Sequence, residues 1–468
     1  MLPRQRQTTQ KRAFAPGTLA VLIACVGAAA ARATAQSATT PEPPASPGGD
    51  PPPTATRPIK TPPAWLRGEL RSRYVLRWTG DDSDSDLVET LSLDAGDAAT
   101  DRLTGHLFGR LTWDLDGSDD TFASINDAYG GRVDALLYDA YVDVHRVGGL
   151  SRLRLGRQAT METPELAWFD GAHVTSQELG GLGLLFGAYF GSSVHLYESS
   201  KSGDLLGGVY AEARPWTDGR LRVDWMHLED ETRLRTRDDE LLGASAWQSF
   251  GRYAQLETRY SRIGGKDRDV QARATCRVDE WGFVLRGSFY ELLLSQGDLV
   301  LEADPFFNAV NELRPYDQWS LVAAKDVDRH LNLQAGGDLR RVHDRGDIGF
   351  YNRDYDRWYG TATVSDVGLT GLRFSATLDL WDANAQLARS WGADASYDFG
   401  KTSASLGTYW SLYKFDLFSN SERDHVRTWF LRLRHKLQAA VTVDGDYEFE
   451  DDDFDQYHRF RLGVTWRF

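Results

Sequence analysis

The last ten residues, 459–468, read Arg-Phe-Arg-Leu-Gly-Val-Thr-Trp-Arg-Phe. Apolar or aromatic side chains occupy every second position, and arginine, glycine or threonine stands between them. Because neighbouring side chains of a β-strand point to opposite faces, the segment is predicted to be a strand with one apolar and one polar face. Such a strand could end a membrane barrel or an ordinary soluble sheet. The apolar set is Phe460, Leu462, Val464, Trp466 and Phe468.

The same period of two recurs along the chain from Trp65 onward. In one example, Leu70, Tyr74, Leu76 and Trp78 alternate with Arg71, Arg73 and Arg77, and further runs begin near Leu103, Val270, Leu372 and Trp429. This pattern predicts an all-β protein.

The predicted connections between strands are unequal in length, which separates two all-β architectures. Tight links, such as 147–150, 279–280 and 437–439, alternate with long polar segments at 117–132, 229–242, 292–316 and 342–356. Soluble sandwiches have short turns at both ends, whereas transmembrane barrels have short turns at one end and long loops at the other. We therefore predict a transmembrane antiparallel up-and-down β-barrel over residues 65–468. Its strand number is expected to be even, about 18 to 22.

The first 64 residues predict two further segments. A basic stretch, an apolar run from Phe14 and the small residues Ala33-Thr34-Ala35 are typical of a cleavable export signal over residues 1–35. Leu22-Ile23-Ala24-Cys25 also resembles a lipoprotein processing box, so Cys25 could instead carry a lipid. Residues 36–64 are rich in Pro, Ala, Thr and Ser, which predicts a disordered periplasmic tail.

Composition excludes several classes of protein. The formal charge of −15 argues against a nucleic-acid partner. If Cys25 is removed with the signal, Cys276 is the only cysteine, so no internal disulfide can form. No apolar run after residue 35 is long enough for a transmembrane helix.

The carboxyl-terminal pattern resembles the assembly signal of outer-membrane proteins, in which an aromatic last residue follows alternating apolar positions. This resemblance implies recognition by the barrel-insertion machinery and a location in the outer membrane of a Gram-negative bacterium. The expected surroundings are outer-membrane lipid and lipopolysaccharide.

With lipid outside, the polar faces of the strands would enclose a bore lined by arginines. Guanidinium groups engage carboxylates and phosphates, so these residues predict a path for anions. A second interpretation stays open, in which Asp444, Asp446 and Glu448 pair with arginines into a neutral wall. The candidate binding residues are Arg71, Arg73, Arg77, Arg152, Arg154, Arg340, Arg373, Arg432, Arg434 and Arg461.

Two other segments allow alternative interpretations. Asp81 to Asp86 has the alternating oxygens of a calcium loop but lacks the expected Gly and Glu positions, so it is predicted to be a solvated external loop. Leu292 to Tyr316 could fold into the bore as a plug or form an external rim. We predict no metal site and no cofactor.

A family resemblance lies in residues 152–172. Leu155-Gly156-Arg157-Gln158, followed by Phe169-Asp170-Gly171, is similar to the Leu-Gly-Arg-Gln and Phe-Asp-Gly pattern of alginate-export-type outer-membrane porins. The resemblance covers about thirty residues and implies a monomeric channel whose basic lumen conducts a polyanionic sugar. It does not identify alginate as the solute.

The predicted function is an outer-membrane channel, a porin or exporter, for small or polymeric anionic solutes. A barrel with a blocked lumen that acts in structure or adhesion is the alternative. A barrel enzyme is disfavoured because His106, His173 and His195 have no accompanying Ser or Asp signature in the sequence.

Overall fold

The protein folds into a single closed sheet of 22 antiparallel strands, as seen in a computed structural model. The structure describes residues 65–80, 82–116, 132–160, 163–194, 196, 204–231, 236–295, 314–348, 352–383, 386–416, 421–453 and 455–468. The predicted signal peptide and Pro-rich tail, residues 1–64, lie outside this part. Within it, we find no helix with the length and apolar character that crossing a bilayer requires.

The strands follow one another along the chain with few other elements between them. The first eleven are β1 Leu66–Thr79, β2 Asp82–Ala95, β3 Leu103–Asp114, β4 Val133–Val147, β5 Leu150–Thr160, β6 Ala167–Ser176, β7 Leu185–Val194, β8 Leu205–Ala213, β9 Gly219–Glu231, β10 Thr236–Phe250 and β11 Ala254–Ile263. The others are β12 Lys266–Val278, β13 Phe283–Leu292, β14 Tyr316–Asp326, β15 Leu331–Val342, β16 Tyr355–Ser365, β17 Leu372–Ala383, β18 Gln386–Asp398, β19 Thr402–Asp416, β20 Ser421–Lys436, β21 Val441–Asp451 and β22 Gln456–Arg467. Short 3-10 turns lie at Asp279–Trp281 and Arg345–Asp347.

Each strand pairs with its sequence neighbours, and β1 also pairs with β22, which closes the barrel. Leu70 stands opposite Trp466, and Tyr74 stands opposite Leu462. The ring of backbone hydrogen bonds therefore has no free edge. The predicted fold class and even strand number are confirmed.

The two faces of the wall differ as the alternation predicts. Large apolar side chains are exposed on the outer face of strand after strand, for example Phe374 and Leu378 on β17 and Leu431 and Leu433 on β20. The side chains between them point inward and include the carboxylates of Asp84, Asp143 and Asp338. An apolar exterior around a polar interior is the arrangement of a barrel in a membrane.

The two ends of the barrel also differ. The turn end carries tight connections such as residues 148–149 and 437–440, and the long-segment end carries residues 115–132, 293–315 and 343–354. The prediction of a long segment at 229–242 is wrong, because β9 continues to Glu231 and β10 already begins at Thr236. Polar side chains are compatible with a strand that continues past the apolar belt, since water can solvate both of its faces there.

Candidate functional site

The candidate site is the bore enclosed by the inner face. A closed barrel of 22 strands spaced about 4.8 Å apart and tilted by about 40° has a backbone diameter of roughly 40 Å. Side chains and inward-folded segments must therefore determine how much of this width stays open. Every predicted binding arginine lies on the inner face, by its alternation with exposed apolar neighbours.

Four of the predicted binding arginines form ion pairs on this face. Arg77 contacts Asp84 at 3.2 Å and Asp86 at 2.5 Å. Arg154 binds both carboxylate oxygens of Asp143, at 2.8 and 2.9 Å. The other two pairs are Arg461 with Asp446 at 2.7 Å and Arg71 with Glu69 at 3.4 Å. A guanidinium held by a carboxylate offers less positive charge to a passing solute.

Two more arginines are held by neutral groups. Arg340 donates to the Oδ1 atom of Asn352 at 3.0 Å, and its guanidinium carbon lies 3.6 Å from the centre of the Tyr316 ring. Arg432 lies over the Phe430 ring at 4.3 Å. Cation–π contacts orient a guanidinium without neutralising it. Within the described residues, therefore, no carboxylate forms an ion pair with either guanidinium group.

The remaining four, Arg73, Arg152, Arg373 and Arg434, form no ion pair within the described part of the chain. Three of them lie near the turn end: Arg152 follows the tight turn at 148–149, Arg373 is the second residue of β17, and Arg434 precedes the end of β20 by two residues. Arg73 lies near the middle of β1. These four side chains are the strongest candidates for contact with an anion.

The neutral-wall interpretation is confirmed in part. Arg461 pairs with Asp446, and Arg459 pairs with Glu448 at 2.5 Å. Asp444 stands opposite Arg434 in the sheet register, but no ion pair joins their side chains. The inner face thus combines neutral pairs with unpaired arginines.

An apolar cluster covers part of the inner wall, which the sequence did not predict. Eight buried residues on β6 to β11 form it: Phe169, Tyr189, Leu206, Tyr210, Met226, Leu228, Leu241 and Ile263. Leu294, from the segment after β13, packs against this cluster. The inward alternative for 292–316 is supported at that residue, and residues 296–313 lie outside the described part.

A second segment also reaches into the bore. The chain between β5 and β6 places Pro164 so close to Gly243 on β10 that a Cβ atom there would lie 2.6 Å from its ring. Glu165 forms an ion pair with Arg268 on β12 at 2.6 Å. The segment therefore spans several strands of the inner wall. We call residues 163–166, together with Leu294 and the apolar cluster, the inner pad.

Residues 82–86 correct the prediction of an external loop. They form the start of β2, and Asp84 and Asp86 are buried on the inner face. The carboxylate oxygens of Asp84, Asp114 and Asp116 come within 4.8 Å of one another, a spacing that could hold a metal ion. Asp81 lies outside the described residues.

A second group with this spacing lies on the outer face at the long-segment end. It comprises Glu291, Asp317 and His343, from three consecutive strands or their ends. The Nε2 atom of His343 lies 3.0 Å from Asp317 Oδ1. The sequence could not indicate this group, because only the strand register brings these residues together.

The histidines weighed for catalysis have other partners. His106 lies 2.6 Å from Asp94, and His173 lies 3.1 Å from the Tyr210 hydroxyl. In the described residues, neither has a serine or cysteine side chain within hydrogen-bond distance. His195 lies outside the described residues.

The residues that resemble the porin motif form one structural unit. Gly156 stands opposite Gly171, and Arg157 stands opposite Asp170. Arg157 donates to both oxygens of Asp170, at 2.8 and 2.7 Å. The fully buried Gln158 donates to the carbonyl oxygens of both glycines at 3.3 Å. The motif thus fixes two adjacent strands rather than supplying groups to the open bore.

The carboxyl terminus lies at the seam of the barrel. The Phe468 backbone exchanges hydrogen bonds with Gly68 at 2.8 and 3.0 Å, and its ring lies against the Gly68 backbone. Leu462, Val464 and Trp466 are exposed on the outer face. The predicted alternation in this strand is therefore present in the closed barrel, and its role in assembly stays a prediction.

Comparisons with known proteins give similarity at the level of solved structures only. No family model matches the chain, and no curated protein matches it, so the resemblance to alginate-export-type porins stays a prediction. OpdK of Pseudomonas aeruginosa, solved with vanillate, is 14% identical with a TM-score of 0.41, over 86% of this chain and 98% of its own.

Two further structures give similar values. The translocation pore of the P pilus usher PapC is 10% identical with a TM-score of 0.48, over 86% of this chain and 99% of its own. OccAB3 of Acinetobacter baumannii is 10% identical with a TM-score of 0.42, over 86% and 99%. Sequence identities and TM-scores this low do not indicate a shared function.

Proposed function

We propose that this protein is a channel of the bacterial outer membrane. One observation carries the proposal: a closed sheet presents exposed apolar side chains outward and charged side chains inward. Hydrocarbon can solvate the outer face, and water and ions can fill the space inside. A soluble barrel would have no reason to expose Phe190, Leu321 and Leu406, which lie on β7, β14 and β19 around its circumference.

We further propose that the transported solutes are anionic, small or polymeric. Arg73, Arg152, Arg373 and Arg434 support this, because they lie on the inner face without an ion pair in the described chain. Unpaired guanidinium groups at several points of the bore would let an anion move from one site to the next. The motif similar to that of alginate-export-type porins agrees with a polyanionic solute.

A barrel with a blocked bore, acting in structure or adhesion, is a second candidate. The inner pad favours it, because Pro164 and Leu294 contact the inner wall from segments that connect strands. One property separates the candidates. A channel conducts ions when it is inserted in a bilayer, and a blocked barrel does not.

Single-channel recording in planar bilayers tests the proposal. The refolded protein is expected to give discrete conductance steps, and a salt gradient is expected to give an anion-selective reversal potential. An absence of conductance steps would contradict the proposal that the protein is a channel. A cation-selective reversal potential would contradict only the proposal that its solutes are anionic. Fractionation of the native cells should place the protein in the outer membrane.

Substitution of the unpaired arginines tests their role separately. Replacing Arg73, Arg373 and Arg434 by Gln should shift the reversal potential towards cations while conductance persists. The control replaces Arg259 and Glu257, an inner-face pair at 2.8 Å, both by Gln, which leaves the net charge unchanged. An equal shift in both proteins would contradict a specific role of the unpaired arginines.

A further inference from the structure

Three tryptophans lie side by side on the outer face of β18, β19 and β20. Trp391 stands directly opposite Trp410 in the sheet register, and their ring centroids are 6.5 Å apart. Trp429 lies on the next strand and is exposed, as Trp391 is. On their turn-end side the outward-facing residues are apolar, for example Leu406 and Leu431. Tryptophans at such a level mark the boundary between the hydrocarbon and the lipid headgroups.

The next outward-facing residues towards the long-segment end are two arginines, Arg389 on β18 and Arg427 on β20. The guanidinium carbon of Arg427 lies 4.4 Å from the centre of the Trp391 ring and 4.8 Å from the centre of the Trp429 ring. Its side chain therefore reaches across β19 towards β18. Trp391 thus has one guanidinium group over its ring and a second arginine two residues away on its own strand.

These two arginines differ from others on the outer face at this end. Arg341 forms an ion pair with Asp356 at 2.5 Å, and Arg262 forms one with Asp267 at 3.0 Å. Within the described part of the chain, neither Arg389 nor Arg427 forms an ion pair. Their positive charge is therefore available to a ligand from outside the barrel.

The carboxylates nearest to them in the sheet do not change this balance. Asp451 stands opposite Arg427 in the register, but its Oδ1 atom accepts a hydrogen bond from Gln456 at 3.2 Å. Asp382 faces outward on β17, the strand next to Arg389, and is exposed. Both carboxylates are described, and no ion pair joins either of them to these arginines.

An apolar depression in the outer face lies beside the tryptophans. It has a volume of about 580 Å³ and is lined mainly by β14 to β17, including the small side chains of Ala335, Ala362 and Ala376. Its border includes Leu378, which stands opposite Trp391. The depression therefore offers room for an acyl chain on the hydrocarbon side of the arginines.

We propose that Arg389 and Arg427 bind the phosphate of a lipid in the leaflet at the long-segment end. A guanidinium group matches a phosphate in charge and in hydrogen-bond geometry, and cation–π contacts hold Arg427 at the level of the headgroups. Long segments lie on the external side of bacterial barrels, so the lipid is lipid A, the phosphorylated part of lipopolysaccharide. This inference rests on the proposed location in the outer membrane and does not depend on conduction.

Native mass spectrometry of the refolded protein in nonionic detergent measures the binding of lipid A. Lipid A with both phosphates is compared with the same lipid after removal of the phosphates, so that the acyl chains are identical. The phosphorylated lipid should bind about tenfold more tightly, and inorganic phosphate at equal concentration should not displace it. Equal affinities would overturn the phosphate site. Displacement by inorganic phosphate would overturn a lipid as the ligand.

A pair of double variants tests the assigned residues. Arg389→Gln with Arg427→Gln should remove most of the preference for the phosphorylated lipid. The matched control is Arg262→Gln with Arg341→Gln, which removes two guanidinium groups from the same face and end and should keep the preference. Heat-modifiable migration on a gel verifies that each variant is a folded barrel. No loss in the first variant, or an equal loss in both, would contradict the assignment.

Two further measurements on the unmodified protein keep this inference apart from the proposed channel. Conductance without a preference for the phosphorylated lipid would contradict only the lipid site. A lipid preference without conductance would support the site and contradict only the channel. Fractionation that places the protein outside the outer membrane would contradict both.

Discussion

Replacing Gly171 by Ala should destabilise the barrel, because the β6–β7 strand pair leaves no space for a methyl group. A Cβ atom at this position would lie 2.1 Å from the Phe190 carbonyl oxygen and 2.6 Å from the Gly191 Cα atom. Both are backbone atoms, so no side-chain rotation can relieve the overlap. The two strands would have to separate by roughly 1 Å to reach ordinary contact distance.

The expected cost follows from two contributions. Overpacking costs about 1–3 kcal/mol, and a weakened ladder hydrogen bond costs about 1 kcal/mol more. We therefore expect the free energy of unfolding to fall by about 3 kcal/mol. Urea titration of the refolded protein in detergent micelles, followed by tryptophan fluorescence, measures this difference from the midpoint and slope.

Gly105→Ala is the matched control for this prediction. Gly105 also lies within a strand, but a Cβ atom there would meet its nearest neighbours at 3.8 and 3.9 Å, which is ordinary contact. Its unfolding midpoint should stay close to that of the unmodified protein. Equal midpoints for the two variants would refute the claim that the Phe-Asp-Gly motif is required for close approach of the strands.

Three further predictions concern charge and closure. Arg154→Gln should cost about 3 kcal/mol, because it leaves the buried Asp143 carboxylate without its partner, and Arg154→Gln with Asp143→Asn should recover part of this in the same urea titration. Phe468→Ala should reduce the fraction of heat-modifiable barrel in outer-membrane preparations, whereas Phe399→Ala, in an exposed turn, should not. In the turn at 327–330, backbone N–H groups that donate to Asp328 hold the pKa of its carboxyl below the ordinary value. A carboxyl whose pKa is lower in the folded state stabilises the fold above the unfolded pKa, and this stabilisation is lost as the pH falls through the folded pKa. Asp328→Asn should therefore lower the midpoint at pH 7, and the difference from the unmodified protein should shrink as the pH falls below the unfolded pKa.

The barrel itself could be predicted from the sequence, because the alternation of apolar and polar residues is local. The segment Leu372 to Leu380 shows why: each residue needs only its neighbours to assign its face. Tight links at 148–149 and 437–440 then fix the direction of successive strands. The prediction failed at 229–242 and at 82–86, where runs of acidic residues are typical of loops. In a barrel, such runs can continue a strand, because the inner face and the ends are accessible to water.

Which arginines form ion pairs could be predicted less well, because ion pairing depends on the residues that face each arginine on neighbouring strands. Arg154 and Arg152 are equivalent in the sequence, yet the register places Asp143 opposite Arg154 and His145 opposite Arg152. A bulge at Phe108 and Gly109 in the neighbouring pair shows that register cannot be counted from residue numbers alone. The inner pad was also missed, since Glu165 and Arg268 are about a hundred positions apart in the sequence.

The seam between β1 and β22 has a consequence for biogenesis. Glu69 and Arg467 form an ion pair at 2.7 Å although 398 positions separate them. The first strand gains its second neighbour only after β22 has been made. Until then, both outermost strands have unpaired amide and carbonyl groups that could pair with another chain. A delay in the synthesis of the last few residues should therefore cause aggregation rather than partial function.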